Sequence, residues 1–245
     1  MPISPDFTSV YSHTFDVDYF DCDTTGHLKL VNLCAMIQMV ASQHSVLGGI
    51  SFWDLQATDQ AWVVNKFKVE IEQYPKWQDQ ITITTWIELL DGVRSIRNFE
   101  VFLNDTKIAT SSSLWVIMNT VRRRPEPMKL PHEQFEKFPD RIALKHPFTT
   151  FKNNTSFELL RTDTVKYSDL DMVNHVTNIK YLEWVIDAIH QKGQLINTIK
   201  SVDMVFKKEI VFPSTYYIGQ CDDNVLQHYE IRNEEGQINF QCLIE

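Results

Sequence analysis

Two stretches of this chain place acids and a histidine at one spacing. Asp21-Cys-Asp-Thr-Thr-Gly-His27 and Asp169-Leu-Asp-Met-Val-Asn-His175 share the pattern D-x-D-x-x-x-H, at an offset of 148 residues. A carboxylate and an imidazole in one loop can hold and transfer a proton. An amphipathic run follows each loop, so each pair lies beside the start of an expected helix. There, free N–H groups and the helix dipole favour developing negative charge. A plainer reading stands beside this one. Asp and Asn are common turn and capping residues before helices, and a lone histidine is more often structural. Other chemistries lack their residues. There is no GxGxxG or GxxxxGK[ST], and seven glycines leave little material for a phosphate loop. Cys22, Cys34, Cys221 and Cys242 show no CxxC spacing. They read as free thiols in a reducing cytosol, with no zinc site or disulfide framework. No cofactor or metal motif is present, and the expected cofactor count is none.

The loops need elements to hold them. Leu33, Ile37, Val40 and His44 recur at helical spacing, which predicts a helix over about Val31 to Leu47, stopped by Gly48-Gly49. Tyr181, Trp184, Val185, Ala188 and Ile189 predict a second over about Asn178 to Gln191, with Thr177 or Asn178 as N-cap and Gly193 at its end. Both stripes are core packing in the first instance. Strand-like stretches precede the loops at Val10–Phe20 and Ser156–Tyr167. Period-two alternation predicts strands near Trp62–Ile71, Gln80–Leu90, Arg94–Leu103 and Lys107–Asn119. The second half repeats them near Ser201–Val211, Thr215–Cys221, Leu226–Arg232 and Ile238–Ile244. Asp91-Gly92, Asn104-Asp105 and Glu235-Gly236 mark turns. Antiparallel sheets with one apolar face need a cover, and a single long helix in each half supplies it.

The chain therefore reads as α+β with two tandem halves. Residues 1–124 and 153–245 are the expected domains. Pro125, Pro127, Pro131, Pro139 and Pro147 make 125–152 an expected Pro-rich linker. Glu72-Gln-Tyr-Pro75 pairs in pattern with Ile210-Val-Phe-Pro213, which sets Ile71 opposite Glu209. With 245 residues, 43% of them hydrophobic, roughly three quarters of the unfolded surface can be buried. The net charge of −9 argues against a nucleic-acid partner. No run of about 18 apolar residues predicts a membrane span. The first residues lack a basic start followed by an apolar run, so no secretory leader is expected and the cytoplasm is the expected location. Asn104, Asn153 and Asn154 stand in formal glycosylation triplets that carry no weight without such a leader.

The segment Asp169-Leu-Asp-Met-Val-Asn-His-Val-Thr-Asn-Ile-Lys-Tyr-Leu-Glu-Trp184 resembles the acyl-acyl carrier protein thioesterase family, in its bacterial type. That family's form is D-L-D-x-N-x-H-V-N-N-x-x-Y. Phe206-Lys-Lys-Glu209 is similar to the family segment that carries a catalytic Glu on the strand after the helix. Phe15–His27, Trp62–Pro75, and Ser112-Ser-Leu-Trp-Val116 before Arg122-Arg-Arg-Pro125 extend the resemblance along nearly the whole chain, in order. Two positions depart from it. Val173 stands where the family has Asn, with Asn174 one residue later. Ile210 stands where plant members have Cys.

The resemblance implies two hot-dog domains, each an antiparallel sheet wrapped around one long helix. It also implies hydrolysis of fatty acyl-acyl carrier protein to free fatty acid, ending chain elongation. Asp171, Asn174, His175 and Glu209 are the implied catalytic residues. Glu209 would activate water, alone or shared with Asp171. His175 and Asn174 would orient Asp171 or the thioester carbonyl. Backbone N–H groups near Val176–Asn178 would hold the oxyanion. The first half keeps Asp23 and His27 but has Gly26 in place of Asn174 and Ile71 opposite Glu209, so it reads as scaffold and acyl-binding wall. Arg122, Arg123 and Arg124 could dock an acidic carrier on an otherwise acidic protein, or be a solvated strand end. Acyl-CoA hydrolysis and a non-catalytic acyl-binding role are the competing readings. The resemblance leaves a homodimer open.

Overall fold

Alternation along the chain builds the strands of the first unit. Ile81, Ile83 and Thr85 are buried while Thr82 and Thr84 face outward, as expected for a sheet covered on one face. The computed structural model describes residues 2–151, 156–191, 198–221 and 227–245. It divides into two compact units, Met1–His146 and Pro147–Glu245.

The first unit comprises β1 (Val10–Asp16), α1 (Leu30–Leu47), α2 (Phe52–Gln56), β2 (Gln60–Ile71), β3 (Gln80–Asp91), β4 (Arg94–Leu103), β5 (Thr106–Asn119) and β6 (Arg124–Pro125). Its strands are antiparallel in the order β1-β3-β4-β5-β2, with the short β6 on β5. The second unit has β7 (Glu158–Thr164), α3 (Asn178–His190), β8 (Ser201–Phe206), β9 (Thr215–Cys221), β10 (Gln227–Arg232) and β11 (Ile238–Ile244). Its order is β7-β9-β10-β11-β8. Element for element, the two orders are the same, so the repeat in sequence is a repeat in topology.

One helix fills each sheet. α1 buries Leu30, Leu33, Cys34, Ile37, Val40, Ala41 and His44 and packs on β1 and β3. By length and composition it could cross a membrane, with 18 residues at mean hydropathy 1.3. Its apolar face is instead the core of the unit, and Asn32, Gln38, Ser42 and Gln43 interrupt the rest. α3 buries Tyr181, Leu182, Trp184, Val185, Ala188 and Ile189. Trp184 stacks on Tyr216 of β9, with centroids 3.8 Å apart.

The structure departs from the sequence reading in several places. β8 stops at Phe206, short of Val211. α2 was not expected; it is a single turn held by a Ser51–Asp54 capping box. Gly193, Leu226, Asn153 and Asn154 lie outside the described residues. The expected linker is corrected as far as His146: this stretch packs on the first unit. Phe135 is fully buried among Ile50, Ile87 and Leu90. Gln60 Nε2 and Asn119 Nδ2 donate to Glu126 Oε1 at 2.9 and 3.0 Å. The Arg141 guanidinium lies 3.7 Å over the Trp86 ring. A Cβ on Gly48 would fall 2.0 Å from the Phe135 ring, so this residue must lack one. Prolines remove ladder donors and so prevent strands, but they leave side chains free to pack. From Pro147 the chain belongs to the second unit, where Thr149 N–H donates to Asp203 Oδ2 at 2.6 Å.

Candidate active site

The loop before α3 is organised by Asp171. Its Oδ1 accepts from the amides of Val173 and His175 at 2.9 and 3.0 Å, and its own N–H donates to His175 O at 2.8 Å. The first unit builds the same loop: Asp23 Oδ1 accepts from Thr25 N–H at 2.8 Å and His27 N–H at 3.1 Å. One residue in each loop needs a left-handed backbone. It is Gly26 at φ +79° and Asn174 at φ +62°. Asn tolerates that region better than most residues. Asn174 is exposed, and among the described residues its side-chain amide makes no hydrogen bond. Its observed work is the turn.

His175 comes out of this turn facing Glu209, with Nδ1 3.6 Å from Glu209 Oε2. The two side chains are 30% and 38% exposed, so water reaches both. Of the four expected catalytic residues, these two are brought together. Asp171 holds the backbone beneath His175, and Asn174 shapes it. Glu209 lies three residues beyond β8, off the strand expected to carry it. Its segment is tied down on both sides. Lys207 and Lys208 N–H donate to Asn239 O at 2.9 and 3.2 Å, Asn239 Nδ2 donates to Glu209 O at 3.3 Å, and Val176 N–H donates to Ile210 O at 2.9 Å.

These bonds correct the alignment of the halves. In the first unit the amides of Glu72 and Gln73 donate to Ile108 O, and Leu28 N–H donates to Pro75 O. The pairing His27–Lys76 answers His175–Val211. Pro75 therefore corresponds to Ile210 rather than Pro213, and Tyr74 rather than Ile71 stands opposite Glu209. The first unit still offers no carboxylate at this position.

The expected oxyanion donors narrow as well. Val176 N–H is engaged with Ile210 O, and Thr177 N–H donates to Asp169 O at 2.9 Å. Asn178 begins α3, where the first amides have no acceptor within the helix. The Asn178 amide is thus the member of the expected set left to meet a substrate. Thiolate chemistry is disfavoured. Burial pushes up the thiols of Cys34 and Cys242, and burial with Glu230 pushes Cys221 up to about 12. Cys22 is raised by burial and by Asp21 and Asp23.

Cys221, His228 and Glu230 place three metal-type donor atoms within 4.8 Å of one another, all buried. Arg232 Nε and a terminal guanidinium nitrogen lie 2.8 and 2.6 Å from Glu230 Oε2, and Gln241 Nε2 donates to Oε1 at 2.7 Å. The guanidinium already supplies the positive charge that a cation would bring.

The acyl-ACP thioesterase N-terminal domain matches residues 8–136, and the acyl-ACP thioesterase C-terminal domain matches 153–245. The chain belongs to the acyl-ACP thioesterase family. A palmitoyl-acyl carrier protein thioesterase of Gossypium hirsutum is 25% identical over 73% of this chain and 47% of its own length. A dodecanoyl-[acyl-carrier-protein] hydrolase of Cinnamomum camphora is 24% identical over 84% of this chain and 57% of its own length. The chain thus spans about half the length of these curated relatives. An acyl-ACP thioesterase from Bacteroides thetaiotaomicron superposes with a TM-score of 0.85 at 22% identity, covering 96% of this chain and 97% of that one. The 12:0-ACP thioesterase from Umbellularia californica gives 0.79 at 20% identity, with 97% of each chain covered. Both units therefore have the hot-dog fold, a sheet wrapped around one helix.

Tyr181 fills the final Tyr of the family motif, but its helical spacing marked it only as apolar and gave its hydroxyl no role. Its ring is buried, but its hydroxyl accepts from Ile210 N–H at 2.8 Å. Nothing in the spacing reveals a bond between residues 29 apart.

Proposed function

We propose that this chain hydrolyses the thioester of fatty acyl-acyl carrier protein, releasing free fatty acid and so ending chain elongation. The supporting observation is the His175–Glu209 pair at 3.6 Å beside the start of α3, in a chain of this family. Glu209 takes a proton from a water molecule as it attacks the thioester carbon. His175 holds the water or the carboxylate in line from its fixed place on the Asp171 turn. The oxyanion forms against the α3 N-terminus, where the Asn178 amide and the helix dipole favour it. Collapse expels the carrier thiol. General base catalysis of this kind contributes roughly 10²–10⁴-fold.

Exposed Arg122, Arg123 and Arg124 serve in this reading as the docking patch for the acidic carrier. A cytoplasmic setting belongs to the same proposal, supported by four free cysteines. The test is purified protein given acyl-carrier and acyl-CoA thioesters of several chain lengths. The proposal expects one thiol and one fatty acid per turnover, faster from the carrier substrate. Faster release from acyl-CoA would reassign the carrier. No release from either would refute hydrolysis.

A further inference from the structure

The repeat allows one half to serve as a control for the other. In the second unit, Ile210 is the residue directly after Glu209, and its N–H donates to the Tyr181 hydroxyl at 2.8 Å. The corresponding positions in the first unit are Pro75, which has no N–H, and Leu33, which has no hydroxyl. Donor and acceptor are thus both present in the half with the carboxylate and both absent in the half with Tyr74 instead.

The Tyr181 hydroxyl is held where it is. Its ring packs on Trp184, Phe206 and Phe240, with centroids 5.8, 5.8 and 5.5 Å away. Tyr181 is 3% exposed. Since the hydroxyl accepts from Ile210, it keeps its own proton to donate. Burial, with the nearby Glu209 and Asp171 carboxylates, pushes its ionisation well above the usual tyrosine range, so it stays protonated. Ile210 is also fixed through its carbonyl by Val176 N–H at 2.9 Å. The peptide after Glu209 is therefore tied at its N–H to the first turn of α3, and Ile210 at its C=O to the residue that follows His175.

We infer that Tyr181 is a positioning residue for Glu209, fixing the carboxylate against His175 through the Ile210 amide. This rests on the reading of Glu209 as the water-activating base. Misplacing a reacting group by about 1 Å can cost on the order of 10²-fold in rate. Tyr181→Phe keeps the ring and removes the acceptor.

The experiment measures kcat and KM for thiol release from acyl-carrier thioester by the full chain. The variants are Tyr181→Phe, Glu209→Gln and the double substitution, each checked for folding by circular dichroism. The inference expects Tyr181→Phe to lower kcat by about 10- to 100-fold with KM little changed. It expects the double variant to be no slower than Glu209→Gln alone, because Tyr181 acts through Glu209. Ile210→Pro copies the first unit's Pro75 and removes the donor, leaving Tyr181 in place; it should show the same loss. Unchanged kcat in folded Tyr181→Phe or Ile210→Pro would overturn the inference. Additive losses in the double variant would overturn it too. Wild-type kcat in Glu209→Gln would instead overturn the base assignment, and the inference with it.

Discussion

At the scale of single residues, the repeat separates chemistry from turn-making. Asp171 and Asp23 accept the same two backbone amides, yet only beside Asp171 does the loop histidine face a carboxylate partner. Asn174 stood among the catalytic candidates because it adjoins His175. Its φ of +62° explains its type without chemistry. Asn174→Ala should lower stability by about 1–2 kcal/mol, the cost of the left-handed region for a residue that visits it less readily than Asn or Gly. Asn174→Gly should not. Urea unfolding of both variants measures this; an equal loss in the two would show that the amide, rather than the backbone angle, matters. The Asp171–His175 pair was legible because its residues are four apart. Glu209 is 34 positions from His175, and only the family resemblance pointed to it. Tyr181 fills the Tyr that ends the family motif, but helical periodicity reports only which face is buried and says nothing of a polar tip, so no role for its hydroxyl was legible.

At the scale of elements, alternation and helical spacing located both helices and most strands, since each was set by burial of one face. The failures share a cause. Glu209 and the stretch 125–146 are placed by contacts with distant residues, which local pattern does not encode. The proline-rich stretch is the larger case, read as linker and found packed. Phe135→Ala should destabilise the chain by about 3–5 kcal/mol, the usual cost of emptying a buried aromatic site. Urea unfolding decides this; a loss under about 1 kcal/mol would mean the stretch lies loosely on its unit. The same stretch carries a pH dependence. Hydrogen bonds from Asn119 and Lys129, with Gln60, hold Glu126 down to about 2 from its ordinary 4.5. A carboxyl depressed by folding stabilises above its unfolded value and loses that contribution as pH falls through its folded value. The Glu126 contribution is therefore complete above about 4.5 and is lost toward about 2. The urea midpoint of Glu126→Gln should lie below that of the wild type at pH 7 and converge with it as the pH falls through this window. A constant gap would contradict the assignment.

At the scale of the whole molecule, one topology is used twice and one copy carries a carboxylate beside its loop histidine. The two-half organisation was legible from the D-x-D-x-x-x-H repeat. The residue-to-residue match was not, because the two segments after the helices differ in length and only hydrogen bonds set Tyr74 opposite Glu209. With a net charge of −9, the proposed docking of an acidic carrier would depend on local basic residues. Reversing Arg122, Arg123 and Arg124 to Glu should raise KM for the carrier substrate by about tenfold, leave kcat within about twofold and weaken the salt dependence of kcat/KM. Unchanged KM at low salt would place docking elsewhere. The decisive measurement for the proposed hydrolysis by the Glu209 carboxylate beside His175 is single-turnover thiol release from acyl-carrier thioester with wild type and Glu209→Gln. The wild type should release thiol and the variant should be about 10²–10⁴-fold slower; equal rates in the two would refute Glu209 as the base.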